Sequence, residues 1–400
     1  MNNPPPFLRF AALALAGAGA LQAGSPWNIL WAGPAILLAS LMIAWGAEAT
    51  QFFLAQGIAL ALLALLQTLP EFAVEAILAW HRDVPDLFAN LTGALMLLTG
   101  IGWPMIYFSA ATAHRREHQQ PMRVIELEDE HAVQVAALFA ALVWQFVVWW
   151  KGELNLLDSA VLLAIYVGYL WVMSRLPPEE REAIGEIGRA PRAIVLAPRP
   201  LRVFAILALF VIGGGAVFLV VDPFLAGLFG LSTLIGISRY QFIQWIAPLV
   251  SESPEGISAF YWARDYRRAS IALMNMVSSN INQWTLLAGL LPVVLSLSAG
   301  RATPIPLDAM QSRDLLLTLA QSLLGAILLL DMRLRWYEAA ALLVLFLVSF
   351  ADIRGGIRIY VMWIYFAWSG VEIFRLIFRN RGNARPNALG RLRSVLTGSN

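Results

Sequence analysis

Two stretches of this sequence place a proline and carboxylates inside otherwise apolar segments. Thr68-Leu69-Pro70-Glu71-Phe72-Ala73-Val74-Glu75 follows the leucines and alanines of 60–66, and Glu71 and Glu75 lie one helical turn apart. Ser251-Glu252-Ser253-Pro254-Glu255-Gly256-Ile257-Ser258 repeats the pattern 184 residues further on, again after an apolar run. In hydrocarbon a proline leaves a carbonyl without its donor and a carboxylate loses its hydration, so such a combination persists where it lines something polar. Each stretch is followed by a second polar helix. The first begins Asn90-Leu91-Thr92-Gly93, twenty residues after Pro70; the second begins Asn275-Met276-Val277-Ser278-Ser279-Asn280-Ile281-Asn282, with Asn275 twenty-one after Pro254. Glutamates supplying charge, with amides and hydroxyls supplying neutral oxygens, are the ligand set of a desolvated hard cation.

The elements that would hold these groups are membrane helices. Hydrophobic residues make up 59% of the 400-residue chain and charged residues only 14%, against roughly 25% in a soluble domain. The mean hydropathy is +0.67. With no cysteine, a disulfide framework, a thiolate nucleophile and an iron–sulfur cluster are all excluded. The histidines (His81, His114, His118 and His131) fall in or beside loops, which leaves none for an intramembrane haem or zinc centre. Apolar runs fit about twelve crossings, near 7–23, 28–47, 51–80, 86–109, 132–150, 155–174, 201–221, 226–263, 270–298, 313–331, 336–351 and 357–378. Arg9 and Leu21-Gln22-Ala23 loosely suggest a secretory signal, but the Pro-rich, barely charged amino end favours a retained helix. The two runs that carry the Pro-Glu pairs exceed one crossing, which predicts tilted or broken helices.

Basic residues orient this layout. With a cytoplasmic amino terminus and twelve crossings, 21 of the 28 arginine and lysine residues fall on the cytoplasmic side and 6 on the other, Arg239 lying within a run. The run bearing Pro70-Glu71 then travels outward and that bearing Pro254-Glu255 inward. The two motifs are antiparallel, as two inverted-topology five-helix repeats with one extra helix at each end require. The expected fold is an all-α polytopic membrane protein. Its predicted parts are an N-terminal segment and helix (1–27), a first repeat (28–174), a cytoplasmic linker (175–200), a second repeat (201–351) and a C-terminal helix with a basic tail (352–400). Both termini are expected in the cytoplasm, and the expected location is a bacterial inner (plasma) membrane. The net charge of +2 reports topology and not nucleic-acid binding.

At its polar stretches the chain resembles the sodium/calcium exchanger membrane family of the cation/calcium antiporter superfamily. That family carries Gly-Thr-Ser-x-Pro-Glu on one helix and a Gly-Asn-x-x-Gly-Ser-Asn-like stretch on the next, in each of two inverted repeats. Here the hexamers read Leu66-Gln67-Thr68-Leu69-Pro70-Glu71 and Val250-Ser251-Glu252-Ser253-Pro254-Glu255. Both Pro-Glu pairs, both leading asparagines and Ser279-Asn280 match. Leu66 and Val250 replace the glycine, Glu252 stands where a serine is usual, and Ala94-Leu95 replaces Ser-Asn in the first half. The resemblance implies that Glu71 and Glu255 are the central cation ligands near the bilayer midplane, that Thr68 and Ser251 add hydroxyl oxygens, and that Asn90 and Asn275 add amide oxygens. Ser279 joins them on the second polar helix. Glu75 and Glu252 bring the site to four acids, whose mutual repulsion favours holding one or two protons when the cation leaves. That balance slightly favours proton over sodium coupling.

The expected function is secondary active cation antiport, calcium being the first candidate and protons or sodium the counter-ion, by alternating access and without enzymatic catalysis or a cofactor. The expected partners are the lipid bilayer and inorganic cations. The alternative is a non-transporting scaffold on a degenerate exchanger fold, in which Glu75 points toward Arg82, Glu252 pairs with Arg239 or a loop arginine and the asparagines only join helices. Gly213-Gly214-Gly215 lacks a phosphate-loop context and is read as a site of close helix packing.

Overall fold

The computed structural model describes residues 25–53, 68–175, 187–352, 356–379 and Ala388. The predicted first helix at 7–23, the approach to the first Pro-Glu pair (54–67), the middle of the linker (176–186) and nearly all of the basic tail lie outside the described residues. Apart from four very short strands, the regular structure of the described residues is helical. Among the described residues eight helices are long and apolar enough to cross a membrane, and Trp336–Ala351 is a shorter apolar one. By contact the chain divides into two compact units, the described parts of Met1–Asn90 with Pro178–Glu255, and those of Leu91–Pro177 with Gly256–Asn400. Each draws on both halves of the sequence.

The first unit contains α1 (Ile29–Thr50), α2 (Leu69–Trp80), the start of α3 (Val84–Leu97), α7 (Arg189–Val195), α8 (Arg199–Ile235), α9 (Arg239–Ser251) and the first turn of α10 (Ser253–Ala263). Its helix α8 corrects the sequence reading. The runs 201–221 and 226–263 predict a break at residues 222–225, yet the helix runs through Pro223 for 37 residues and stops at Gly236, whose φ of +71° makes it a left-handed C-cap. A proline inside a membrane helix is tolerated because neighbouring helices and side chains compensate its missing bond. The stretch read as the single run 226–263 is therefore the end of α8 followed by two short helices, where a tilted or broken helix is predicted. The break falls at Glu252. Helices α1 and α8 pack along much of their length. Gly213 allows this approach, since a Cβ there would lie 2.9 Å from Ile43 and 3.0 Å from the Ala39 carbonyl, whereas Gly214 and Gly215 face nothing within 4 Å.

In the second unit, α3 passes through a π-helical turn (Leu98–Gly102) into α4 (Trp103–His118), and α11 (Ala269–Asn282) passes through another (Gln283–Leu287) into α12 (Ala288–Ala299). The two turns begin eight residues after Asn90 and Asn275 respectively, so the two polar helices carry the same irregularity at the same place. Around them lie α5 (Ala132–Lys151), α6 (Leu156–Met173), α13 (Ala309–Leu328), α14 (Trp336–Ala351) and α15 (Arg358–Arg379). Local sequence sets the helix starts. Asn155 and Asp158 form a capping box on α6, and Asp308 and Gln311 form one on α13. Two antiparallel strand pairs tie loops together: β1 (Val124–Glu126) with β4 (Arg333–Arg335), and β2 (Glu153–Leu154) with β3 (Ile305–Pro306). Tight packing recurs at Gly100, where a Cβ would come within 2.5 Å of Phe346.

Candidate cation site

Helix α2 begins one residue after Thr68, with Pro70 in its first turn, where a proline costs no intrahelical bond. Glu71 and Glu75 sit on successive turns of its buried face with Val74 and Leu78. On the other side of the sequence, α9 ends at Ser251, Glu252 occupies the break, and α10 starts at Ser253, which puts Glu255 in its first turn. Glu71, Glu75, Glu252 and Glu255 are all at most 4% exposed.

These four acids belong to the first unit and gather there. The carboxyl groups of Glu71 and Glu252 are hydrogen-bonded to each other, and Glu75 and Glu255 are close enough to act on Glu71 electrostatically. Glu75 also feels Glu252. Asn90 donates from Nδ2 to Glu75 Oε1 at 3.5 Å, while Glu75 Oε2 and Asn90 Oδ1 are buried with no hydrogen-bond partner. Thr68 is buried, its carbonyl accepting from the Phe72 amide at 3.0 Å. Ser251 Oγ donates to the Ala247 carbonyl at 3.2 Å, the backbone bond common for a helical serine. Among the described residues no three His, Asp or Glu side chains converge as a ready-made metal cage. The cluster is an aggregate of acids held together by a hydrogen bond and not a closed coordination shell.

Asn275 and Ser279 belong to the second unit, on α11, where both are buried; Asn275 Nδ2 and Ser279 Oγ have no hydrogen-bond partner. Asn280 and Asn282 further along are buried with both amide atoms in the same condition. Beside them, Gln134 Nε2 and Tyr169 Oη reach Ser278 Oγ at 3.5 and 3.0 Å.

The pairings weighed in the sequence resolve differently from the salt bridges considered there. Arg239, at the start of α9, pairs with Asp83 and Asp86 and stacks on Phe229 at 3.5 Å, so it is not the partner of Glu252. Glu75 is fully buried against Asn90. Asp83 and Asp86 escaped the sequence reading because acids at the start of a helix are ordinary.

Comparison with known proteins gives a consistent result. The family described as "Sodium/calcium exchanger protein" matches residues 25–175 and 205–351. The crystal structure of the H+/Ca2+ exchanger CAX is similar over 97% of this chain and 96% of that one, at 31% identity and a TM-score of 0.85. Native YfkE is similar over 87% of this chain and 99% of that one, at 14% identity and a TM-score of 0.65. The sodium–calcium exchanger NCX_Mj, soaked with Na+ and Sr2+, is similar over 85% of this chain and 99% of that one, at 18% identity and a TM-score of 0.54. At the last two identities the likeness concerns the fold. No curated protein sequence matches.

Proposed function

The chain belongs to the sodium/calcium exchanger protein family, an integral membrane family of cation exchangers, and on that footing we propose that it is a secondary active antiporter exchanging calcium for protons. One observation carries the choice of counter-ion: Glu71 and Glu252 are hydrogen-bonded carboxyl to carboxyl. Such a bond needs a proton between the two groups, and a divalent cation competing for the same oxygens must displace it. The 31% identity to a protein described as an H+/Ca2+ exchanger supports the same pairing of ions.

In this account Glu71 and Glu255 are the principal ligands, Glu75 and Glu252 carry the exchanged protons, and Thr68, Ser251, Asn90, Asn275 and Ser279 supply neutral oxygens. Two inverted five-helix repeats, twelve crossings and cytoplasmic termini complete the proposal. The matched placement of the π turns and the 21-to-6 charge bias support them.

The test is calcium flux in proteoliposomes under an imposed pH gradient and, separately, a sodium gradient, for the intact protein, Glu71→Gln and Glu255→Gln. Uptake driven by the pH gradient and abolished by both substitutions is expected. Uptake driven only by sodium would change the counter-ion. No flux of any cation from folded protein would favour the scaffold.

A further inference from the structure

Away from the carboxylates, the second unit has a surface groove of about 850 Å³ between the end of α4 and the corner joining α10 to α11. Its walls change character along their length. Met105, Phe108 and Phe260 form an apolar floor, with Phe108 and Phe260 each about 40% exposed, whereas Arg116, Arg264 and Arg267 rim the other end. From Met105 to Arg116 is eleven residues of helix, about 16 Å, roughly the reach from acyl chains to phosphates in one leaflet.

The charges of the rim are unequal in what they do. Arg267 is engaged by Glu117 at 2.6 Å and Asp265 at 3.9 Å, and lies 4.7 Å from the Tyr266 ring centroid. Both carboxylates of the groove are therefore committed to one guanidinium. Arg116 and Arg264 are exposed and, among the described residues, neither makes an ion pair. The groove thus carries a surplus of one positive charge, with the Arg116 and Arg264 guanidinium groups outside any ion pair, beside an apolar trough at a membrane helix end.

We propose that this groove binds an anionic phospholipid, its phosphate between Arg116 and Arg264 and one acyl chain along Met105, Phe108 and Phe260. Charge complementarity selects the headgroup, because a zwitterionic lipid brings its own cation to a rim that already has a surplus of positive charge. The apolar floor selects a lipid over a soluble anion, which has nothing to place there. In the proposed topology this end of α4 faces the cytoplasm, the side on which the charge bias falls. The inference is independent of which ions are exchanged.

The test uses the purified full chain in detergent, with lipid retention read by native mass spectrometry and unfolding temperature read alongside. The probes are phosphatidylglycerol, phosphatidylcholine and inorganic phosphate. Phosphatidylglycerol is expected to be retained about tenfold more than phosphatidylcholine and to raise the unfolding temperature, with inorganic phosphate doing neither. Arg116→Gln with Arg264→Gln should remove the preference, and Phe108→Ser should weaken retention of both lipids. Arg116→Gln alone, at an exposed position, serves if the double variant does not fold, and should reduce the preference severalfold. Equal retention of the two lipids, an unchanged preference in the arginine variants, or equal stabilisation by inorganic phosphate would each overturn the proposal.

Discussion

Asn90 Nδ2 donates to Glu75 Oε1 at 3.5 Å, a buried bond between residues on two consecutive helices. It orients the acid and leaves one oxygen of each side chain, Glu75 Oε2 and Asn90 Oδ1, buried with no hydrogen-bond partner. Buried oxygens in that condition are costly unless something visits them. Replacing Asn90 by Ala removes the orienting donor and one of these oxygens. The expected outcome is folded protein whose calcium affinity is about tenfold weaker, equivalent to about 1.4 kcal/mol, measured by titration of calcium-driven flux. Unchanged affinity would remove Asn90 from the site.

Arg239 joins Asp83 and Asp86 while remaining 46% exposed, and Asp86 is almost completely covered. Solvent screening of a half-exposed guanidinium limits its contribution, so Arg239→Gln should cost about 1 kcal/mol, read as a lower unfolding temperature in detergent. The exposed pair of His81 and Asp222, 3.8 Å apart, makes the natural control, and Asp222→Asn should leave the unfolding temperature unchanged.

Gly213 and Gly227 face α1 and its start so closely that a methyl group has no room; at Gly227 it would meet the Ile29 amide nitrogen at 2.7 Å. Either glycine changed to Ala should destabilise by about 1–3 kcal/mol through overpacking. Gly214→Ala, on the open side of the same helix, should be neutral or slightly stabilising through helix propensity. Thermal unfolding of the three variants side by side tests the packing of the first unit.

Much of this was legible in the sequence because buried charge in an apolar context is conspicuous. Glu71, Glu255 and the uncharged but polar Asn90 and Asn275 stand out in apolar runs and are buried in the structure, and most helix ends fell within a few residues of their predicted positions. Tertiary partners were less legible. Nothing local connects Arg239 with acids 156 and 153 residues earlier, and Glu252 is only its alternative partner in the sequence. The runs 201–221 and 226–263 part at residues 222–225, where Pro223 would usually end a helix, while the actual stop, Gly236, carries no charge to draw attention. The π turns were invisible for another reason: one extra residue in a buried helix barely disturbs an apolar pattern that is continuous on all sides.

The central claim is that a proton held between Glu71 and Glu252 is exchanged for the cation. Proton release on calcium addition measures it most directly, with purified protein in weakly buffered detergent and a pH indicator, comparing the intact chain with Glu71→Gln and Glu252→Gln. The intact protein should release at least one proton per calcium bound, each substitution should diminish that release, and acidification should weaken calcium binding because both compete for the same oxygens. Calcium binding with no proton release, or release unchanged by either substitution, would contradict the account.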